Sequence, residues 1–226
     1  MMETFELVVA HYNEDLAWLR RVPPQFRVTL YHKGAQAGIG TRLPNVGREA
    51  HTYLHHLAKR LDDLADVTVF VQGHPFDHAP DLHARLRELV SGDKKIADFW
   101  WLGFVADTDD ARGRRLFVPW TKNPAHEELD METFHRRLFR APGPSEYRFF
   151  VGGQFTLSRQ AAKRRATTFY EMAKGLAANF PMAPHCFERC WDRIFMSDGT
   201  IGRLPDGQKT AYFKPLRRLA QPTGAR

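Results

Sequence analysis

A chain of 226 residues, 43% hydrophobic and 26% charged, has the apolar material for one buried core, or for one domain carrying a tail. That balance excludes a disordered chain, a collagen-like repeat and a disulfide scaffold, and no run approaches the roughly 18 uninterrupted apolar residues that cross a bilayer. Lys and Arg number 33 against 26 Asp and Glu, and the net charge of +7 favours polyanionic partners: nucleotide phosphates, nucleic acid or an anionic membrane surface. The opening Met1-Met2-Glu3-Thr4-Phe5-Glu6 carries an acid where a signal peptide wants Lys or Arg, so a soluble, cytoplasmic protein is expected. Cys186 and Cys190 have no second Cys pair to complete a zinc site and read as reduced, packed thiols.

In chain order, Phe5–His11 (FELVVAH) is a nearly continuous apolar run, the pattern of a strand buried on both faces. Leu16, Trp18 and Leu19 predict a short helix that stops at Pro23-Pro24. Phe26–Tyr31 reads as a second strand, closed by His32-Lys33-Gly34 and followed by a polar, Gly-containing loop to Pro44-Asn45. Ala50, Tyr53, Leu54, Leu57, Leu61 and Leu64 then recur at helical spacing, with the charged residues elsewhere. Val67–Val71 is a β-branched strand ended by Gln72-Gly73-His74-Pro75, and Leu82, Leu86, Leu89 and Val90 mark another amphipathic helix that ends at Ser91-Gly92. Strands joined through helices pair in parallel with right-handed crossovers, so this order predicts an α/β sandwich with helices on both faces.

The second half is less regular. Phe99–Val105 and Leu116–Trp120 read as strands around a loop at Asp107-Thr108-Asp109-Asp110. Tyr147–Val151 and Gln154–Leu157 flank Gly152-Gly153; Ala161–Leu176 reads as one helix and Phe187–Phe195 as another. The expected organisation is a single domain over 1–208 and a basic tail over 209–226 that frays.

Ligands of open parallel sheets bind outside the carboxyl ends of the strands. Those ends carry His11-Tyr12-Asn13-Glu14, Tyr31-His32-Lys33-Gly34 and Gln72-Gly73-His74-Pro75-Phe76-Asp77-His78, and Tyr, Gln, His and Lys are not turn formers. Asn45 before the long helix is a possible cap; the free N–H groups there, with the forked donor Arg48, suit a phosphate or carboxylate as well as a solvated first turn. No Walker loop, dinucleotide fingerprint, nucleophile elbow or H-E-x-x-H occurs. His74, Asp77 and His78 on one loop, and Asp107, Asp109 and Asp110 on another, read either as turns or as ligands of a hard cation. Gly152-Gly153-Gln154 lets the backbone pass close to a strand or a bound sugar, and Arg159–Arg165 is a basic helix face.

Five segments together, VVAHYNEDLAWL (Val8–Leu19), LPNVGREAHTYL (Leu43–Leu54), VFVQGHP (Val69–Pro75), GGQFTLSR (Gly152–Arg159) and ERCWDRIF (Glu188–Phe195), resemble the DUF3431 family, which is grouped with GT-A-type glycosyltransferases that use nucleotide sugars. The resemblance implies a Rossmann-like GT-A α/β/α sandwich with a mixed, mostly parallel central sheet. It implies a hexosyl or related transferase that moves a sugar to a hydroxyl of a glycan, lipid or small molecule. Alternatives are a hydroxylated base of modified DNA as acceptor, with Arg112–Arg115, Arg159–Arg165 and Lys214–Arg218 neutralising phosphates, or a binding module without catalysis. By the same resemblance, Ala10, Tyr12, Asn13 and Glu14 meet the base and ribose, and Lys33, Asn45 and Arg48 approach the diphosphate. Gln72-Gly73-His74 stands where such enzymes carry a D-x-D for Mn²⁺ or Mg²⁺, with His74, Asp77 or His78 as substitute ligands. Gly152, Gly153 and Gln154 border donor sugar and acceptor, and Glu188 is the catalytic base.

Overall fold

A computed structural model describes residues 3–35, 38–92, 97–103, 105–121 and 128–197. The apolar run opens the fold as β1 (Phe5–His11), the central strand between β2 (Phe26–His32) and β4 (Val67–Gln72), with β3 (Thr41–Arg42) beyond β2. All of these pair in parallel, and Ala10 lies in register with both Tyr31 and Gln72. The run is apolar throughout because both its faces are covered. Val8 and Phe70 face the layer of α1 (Arg48–Arg60), while Leu7, Val9, Val69 and Val71 face α2 (Leu82–Ser91) and the 3₁₀ turn Ala17–Arg21.

The other edge is built from sequence that lies far away. β8 (Phe155–Ser158) inserts antiparallel between β4 and β5 (Phe99–Trp101), which gives the order β3-β2-β1-β4-β8-β5. The chain is therefore an α/β protein with a mixed six-stranded sheet and helices. β6 (Ala106–Asp110) and β7 (Glu146–Phe150) form a separate antiparallel pair.

Several expectations are corrected here. Asp107–Asp110 lies in strand β6, not a loop, and Leu116–Trp120 holds the short helix α3 (Phe117–Trp120), not a strand. α4 (Met131–Phe139) is a helix beyond those the sequence predicts, capped by the Asp130 carboxylate accepting from Thr133 N–H at 3.0 Å. The helix expected over Ala161–Leu176 is two, α5 (Arg159–Ala162) and α6 (Thr167–Asn179). The one expected over Phe187–Phe195 is also two, α7 (Ala183–Glu188) and α8 (Trp191–Ile194). Cys186 and Cys190 are buried and unlinked, and burial pushes the Cys186 thiol up to about 12. The tail over 209–226 lies outside the described residues.

Candidate functional site

The carboxyl ends of β1, β2 and β4 interlock through glycines. Glu14 folds back so that one carboxylate oxygen accepts the N–H groups of Tyr12 (2.7 Å) and Asn13 (3.2 Å). A Cβ on Gly73 would stand 2.3 Å from that oxygen, and one on Gly34 would stand 2.0 Å from the Tyr12 carbonyl oxygen. The Trp18 indole donates to the Gly73 carbonyl at 2.8 Å. Tyr12 and Asn13 remain exposed above this clasp, with Ala10 half-buried beneath. Below it, His11 Nε2 lies 3.0 Å from the Glu14 carbonyl oxygen and His11 Nδ1 lies 3.1 Å from His32 Nδ1. A carbonyl only accepts, so the bond to Glu14 is donated by His11 Nε2.

Lys33 does not project freely from the rim. Its ammonium donates to the carbonyls of Val46 (2.6 Å) and Arg48, tying the end of β2 to the start of α1, and burial lowers its pKa to about 8 against the pull of Glu49. The cap expected from Asn45 is not made. Gly47 is the N-cap, with φ 60° and no side-chain bond, and Asn45 is exposed two residues earlier. Glycine is required there, because a Cβ would fall 2.4 Å from the Ala177 carbonyl oxygen of α6. The left-handed backbone continues into Arg48 (φ 44°), whose side chain is exposed.

Gln72 and Gln154 form a second clasp. The Gln72 amide donates to the Gly152 carbonyl (3.0 Å), Gln154 accepts from the Gln72 N–H (3.3 Å), and the Gln154 amide donates to the Pro75 carbonyl (2.9 Å). Gly152, at φ 107°, packs against His78, and its N–H donates to a carboxylate oxygen of Glu188 at 2.6 Å. Glu188 ends α7. Burial raises its pKa, opposed by Arg189, whose guanidinium is 3.6 Å away, by the Gly152 N–H and by Arg48.

A second carboxyl, Glu49 in the first turn of α1, joins Glu188. Glu49 is 14% exposed, its Oε2 lies 3.8 Å from Arg48 Nε, and its Oε1 lies 4.0 Å from where Gly153 would carry a Cβ. Burial raises its pKa, with Arg48 opposing and Glu188 adding to the rise. Glu49, Glu188, Arg48 and the Gly152-Gly153 turn thus form one cluster on the α1 side of the sheet.

The predicted metal trio is not assembled. The 3₁₀ turn Pro75–Asp77 sends the His74 ring against Phe76, at 5.7 Å, on the α2 side, leaves Asp77 exposed, and puts His78 against Gly152. Among the described residues no group of three or more His, Cys, Asp or Glu side chains is placed to hold a metal ion. Asp109 is neither a solvated turn residue nor a cation ligand: it is buried and paired with Arg189. Cavities of about 390 Å³ beside Trp18, Phe76 and Arg87, and about 780 Å³ beside Asp66, Asp98 and Arg159, lie apart from the carboxyl cluster.

The family model described as "Protein of unknown function (DUF3431)" matches residues 7–203. No curated protein and no solved structure matches the chain. Among the described residues no helix is long and apolar enough to cross a membrane.

Proposed function

We propose, from the premise that this chain belongs to the DUF3431 family over residues 7–203, that it is a glycosyltransferase with a GT-A-like sandwich, moving a sugar from a nucleotide-sugar donor to an acceptor hydroxyl. The observation that carries this reading is Glu188. Its carboxylate is fixed by the Gly152 N–H at 2.6 Å, beside the carboxyl end of the parallel strands, with the guanidinium of Arg189 at 3.6 Å. A carboxylate held in one orientation and raised toward neutrality by burial is suited to take a proton from a hydroxyl.

In the proposed reaction Glu188 accepts the acceptor's hydroxyl proton as that oxygen attacks the anomeric carbon. The bond from that carbon to the diphosphate breaks, and the leaving group takes the electron pair. Arg48 meets the charge that develops there, aided by the N–H groups of the first turn of α1. Lys33 acts as a positioning residue by holding the carbonyls of Val46 and Arg48, which fixes where Arg48 begins. Because His74, Asp77 and His78 do not converge, no step is routed through a metal ion.

The test is a thermal-shift screen of UDP, GDP, CMP and dTDP sugars with and without Mn²⁺, followed by a transfer assay with the donor that stabilises the chain. Glu188→Gln is expected to abolish transfer and leave nucleotide binding intact. Undiminished transfer by that variant refutes the assignment of the base, and a donor that binds but is neither transferred nor hydrolysed marks a binding module instead.

A further inference from the structure

Two polar side-chain atoms stand beside Gly153 without crowding it. Its φ is 60°, and the two nearest atoms to a Cβ built there are Trp191 Nε1 at 3.6 Å and Glu49 Oε1 at 4.0 Å, an ordinary or looser contact where most of this chain's buried glycines meet atoms under 3 Å. Trp191 is 1% exposed, packed by Tyr53, Phe155 and Phe187, yet its indole N–H makes no hydrogen bond among the described residues. The residue is buried but its indole nitrogen is left for water or a ligand to complete. Glu49 Oε2 lies toward Arg48, and Oε1 is the carboxylate oxygen near Gly153.

One donor and one acceptor beside a bare glycine Cα match a hydroxyl group, which accepts one hydrogen bond and donates one. A phosphate has no proton to give Glu49 and would meet its charge, and an apolar group would leave the indole unsatisfied. We propose that Gly153, Trp191 and Glu49 form a hydroxyl-recognition niche that selects the sugar ring presented to Glu188. This rests on the glycosyltransferase reading and deepens it. Trp191 Nε1 donates to the hydroxyl oxygen, Glu49 accepts its proton, and Gly153 lets the ring approach the backbone. The neighbouring Gly152 N–H holds Glu188, so the selected hydroxyl and the proton acceptor are anchored by adjacent residues of one turn. A site that pairs a hydroxyl on both sides rejects the analogue that lacks it, because two buried polar groups are then left bare.

The test follows the Trp191 indole resonance in ¹H–¹⁵N spectra of the full chain, assigned by its absence in Trp191→Phe. UDP-glucose, UDP-galactose, UDP-N-acetylglucosamine and GDP-mannose are titrated beside UDP and GDP. The resonance is expected to move with a nucleotide sugar and not with its bare nucleotide. The sugar's gain in affinity over the bare nucleotide, expected at about tenfold, is expected to vanish in Gly153→Ala, whose methyl fills the niche, and in Trp191→Phe. Both variants are expected to bind the bare nucleotide as the parent does, which also reports that they fold. A nucleotide sugar that binds with its gain intact in both variants overturns the niche and leaves the proposed function standing. Binding of no nucleotide and no nucleotide sugar overturns both.

Discussion

Arg189 and Asp109 meet out of reach of solvent, 80 residues apart in sequence: Nη2 lies 2.6 Å and Nε 3.1 Å from the same carboxylate oxygen, with the guanidinium 4.6 Å over the Phe149 ring. The other oxygen of Asp109 accepts the N–H groups of Asp110, Arg115 and Leu116. This pair therefore fixes the entry to α3 and the end of α7 together, and Glu188 is the neighbour of Arg189. Removing one partner strands a buried charge, so Asp109→Ala is expected to cost about 3–5 kcal/mol in urea denaturation. Asp109→Ala combined with Arg189→Met is expected to recover part of that loss. A single variant within about 1 kcal/mol of the parent, the centre of the range for point substitutions in general, would remove the pair from its anchoring role.

The same surroundings set a pH dependence for transfer. Burial shifts the Glu188 carboxyl upward, so it keeps its proton to higher pH than an ordinary carboxylate, and a base works only once that proton is gone. The rate is expected to rise with pH along a limb displaced above the usual carboxylate range. Arg48→Ala removes a cation that favours the charged form and moves this limb further up. The alkaline limb is expected near Lys33, whose pKa burial lowers to about 8, since its neutral form holds the carbonyls of α1 less firmly. Lys33→Arg, which stays charged, should extend activity past that limb; an unchanged profile in both variants would disconnect these groups from catalysis.

The sequence disclosed what is written in local periodicity. The apolar run of β1 and the spacing of Tyr53, Leu54 and Leu57 along α1 announced a parallel sheet under a helix, because each pattern records burial of its own segment. The insertion of β8 beside β4 left no such trace, since Phe155–Ser158 looks the same whether its partner is nearby or 80-odd residues upstream. The rim residues Tyr12, Lys33 and Gln72 were visible as strand-end polar residues, but not that Lys33 and Gln72 spend their polar groups on backbone carbonyls. Asp107-Thr108-Asp109 looked like a turn or a cation site because its partner, Arg189, is distant in the chain. Gly47 stands at the cap in place of Asn45, so close to α6 that a Cβ would clash with it, a crowding that no helix-start rule encodes.

Beneath the site, Glu6 is wholly buried in β1, with Oε2 2.6 Å from Arg27 Nη2 and 3.7 Å from His56 Nε2, and Oε1 2.5 Å from the Thr29 hydroxyl. Burial would raise the Glu6 carboxyl, but the hydrogen bonds from Arg27 and Thr29, with the His56 and Arg27 charges, hold it below its ordinary value. Burial pushes His56 down to about 4 despite Glu6, and His51 likewise to about 4. Both imidazoles have folded pKa values below the unfolded one, so the unfolded chain takes up more protons between about pH 6.5 and 4. The imidazole contribution to stability is thus full above about pH 6.5 and falls toward pH 4, by about 3 kcal/mol from His56 alone, while the raised carboxyls of Glu49 and Glu188 work in the opposite direction. The Glu6 contribution is lost at still lower pH, as its own folded pKa is crossed. In thermal unfolding across this window, His56→Gln should lose less stability toward pH 4 than the parent; identical pH profiles for the two would contradict the linkage.

The arginines that gave the chain its affinity for polyanions on paper are engaged within the fold. Arg112 and Arg114 each place Nε 2.7 Å from a Glu128 oxygen, and Arg115 lies 2.6 Å from Glu146. Arg159 faces Asp66 at 3.3 Å, Arg164 pairs with Asp98, and Arg165 lies 4.6 Å over the Phe169 ring. Exposed ion pairs contribute little to stability, yet each places an acid where a phosphate would have to sit, so these patches present a mixed field rather than a positive one. Lys214–Arg218 lies outside the described residues. An arginine bound to phosphate adds about 0.9 to the slope of log K against log salt for duplex DNA. Arg112→Ala with Arg114→Ala is expected to leave that slope unchanged in anisotropy titrations with a short duplex. A slope reduced by about 2 would make this surface a DNA contact and move the acceptor from a sugar or small hydroxyl compound to a modified base.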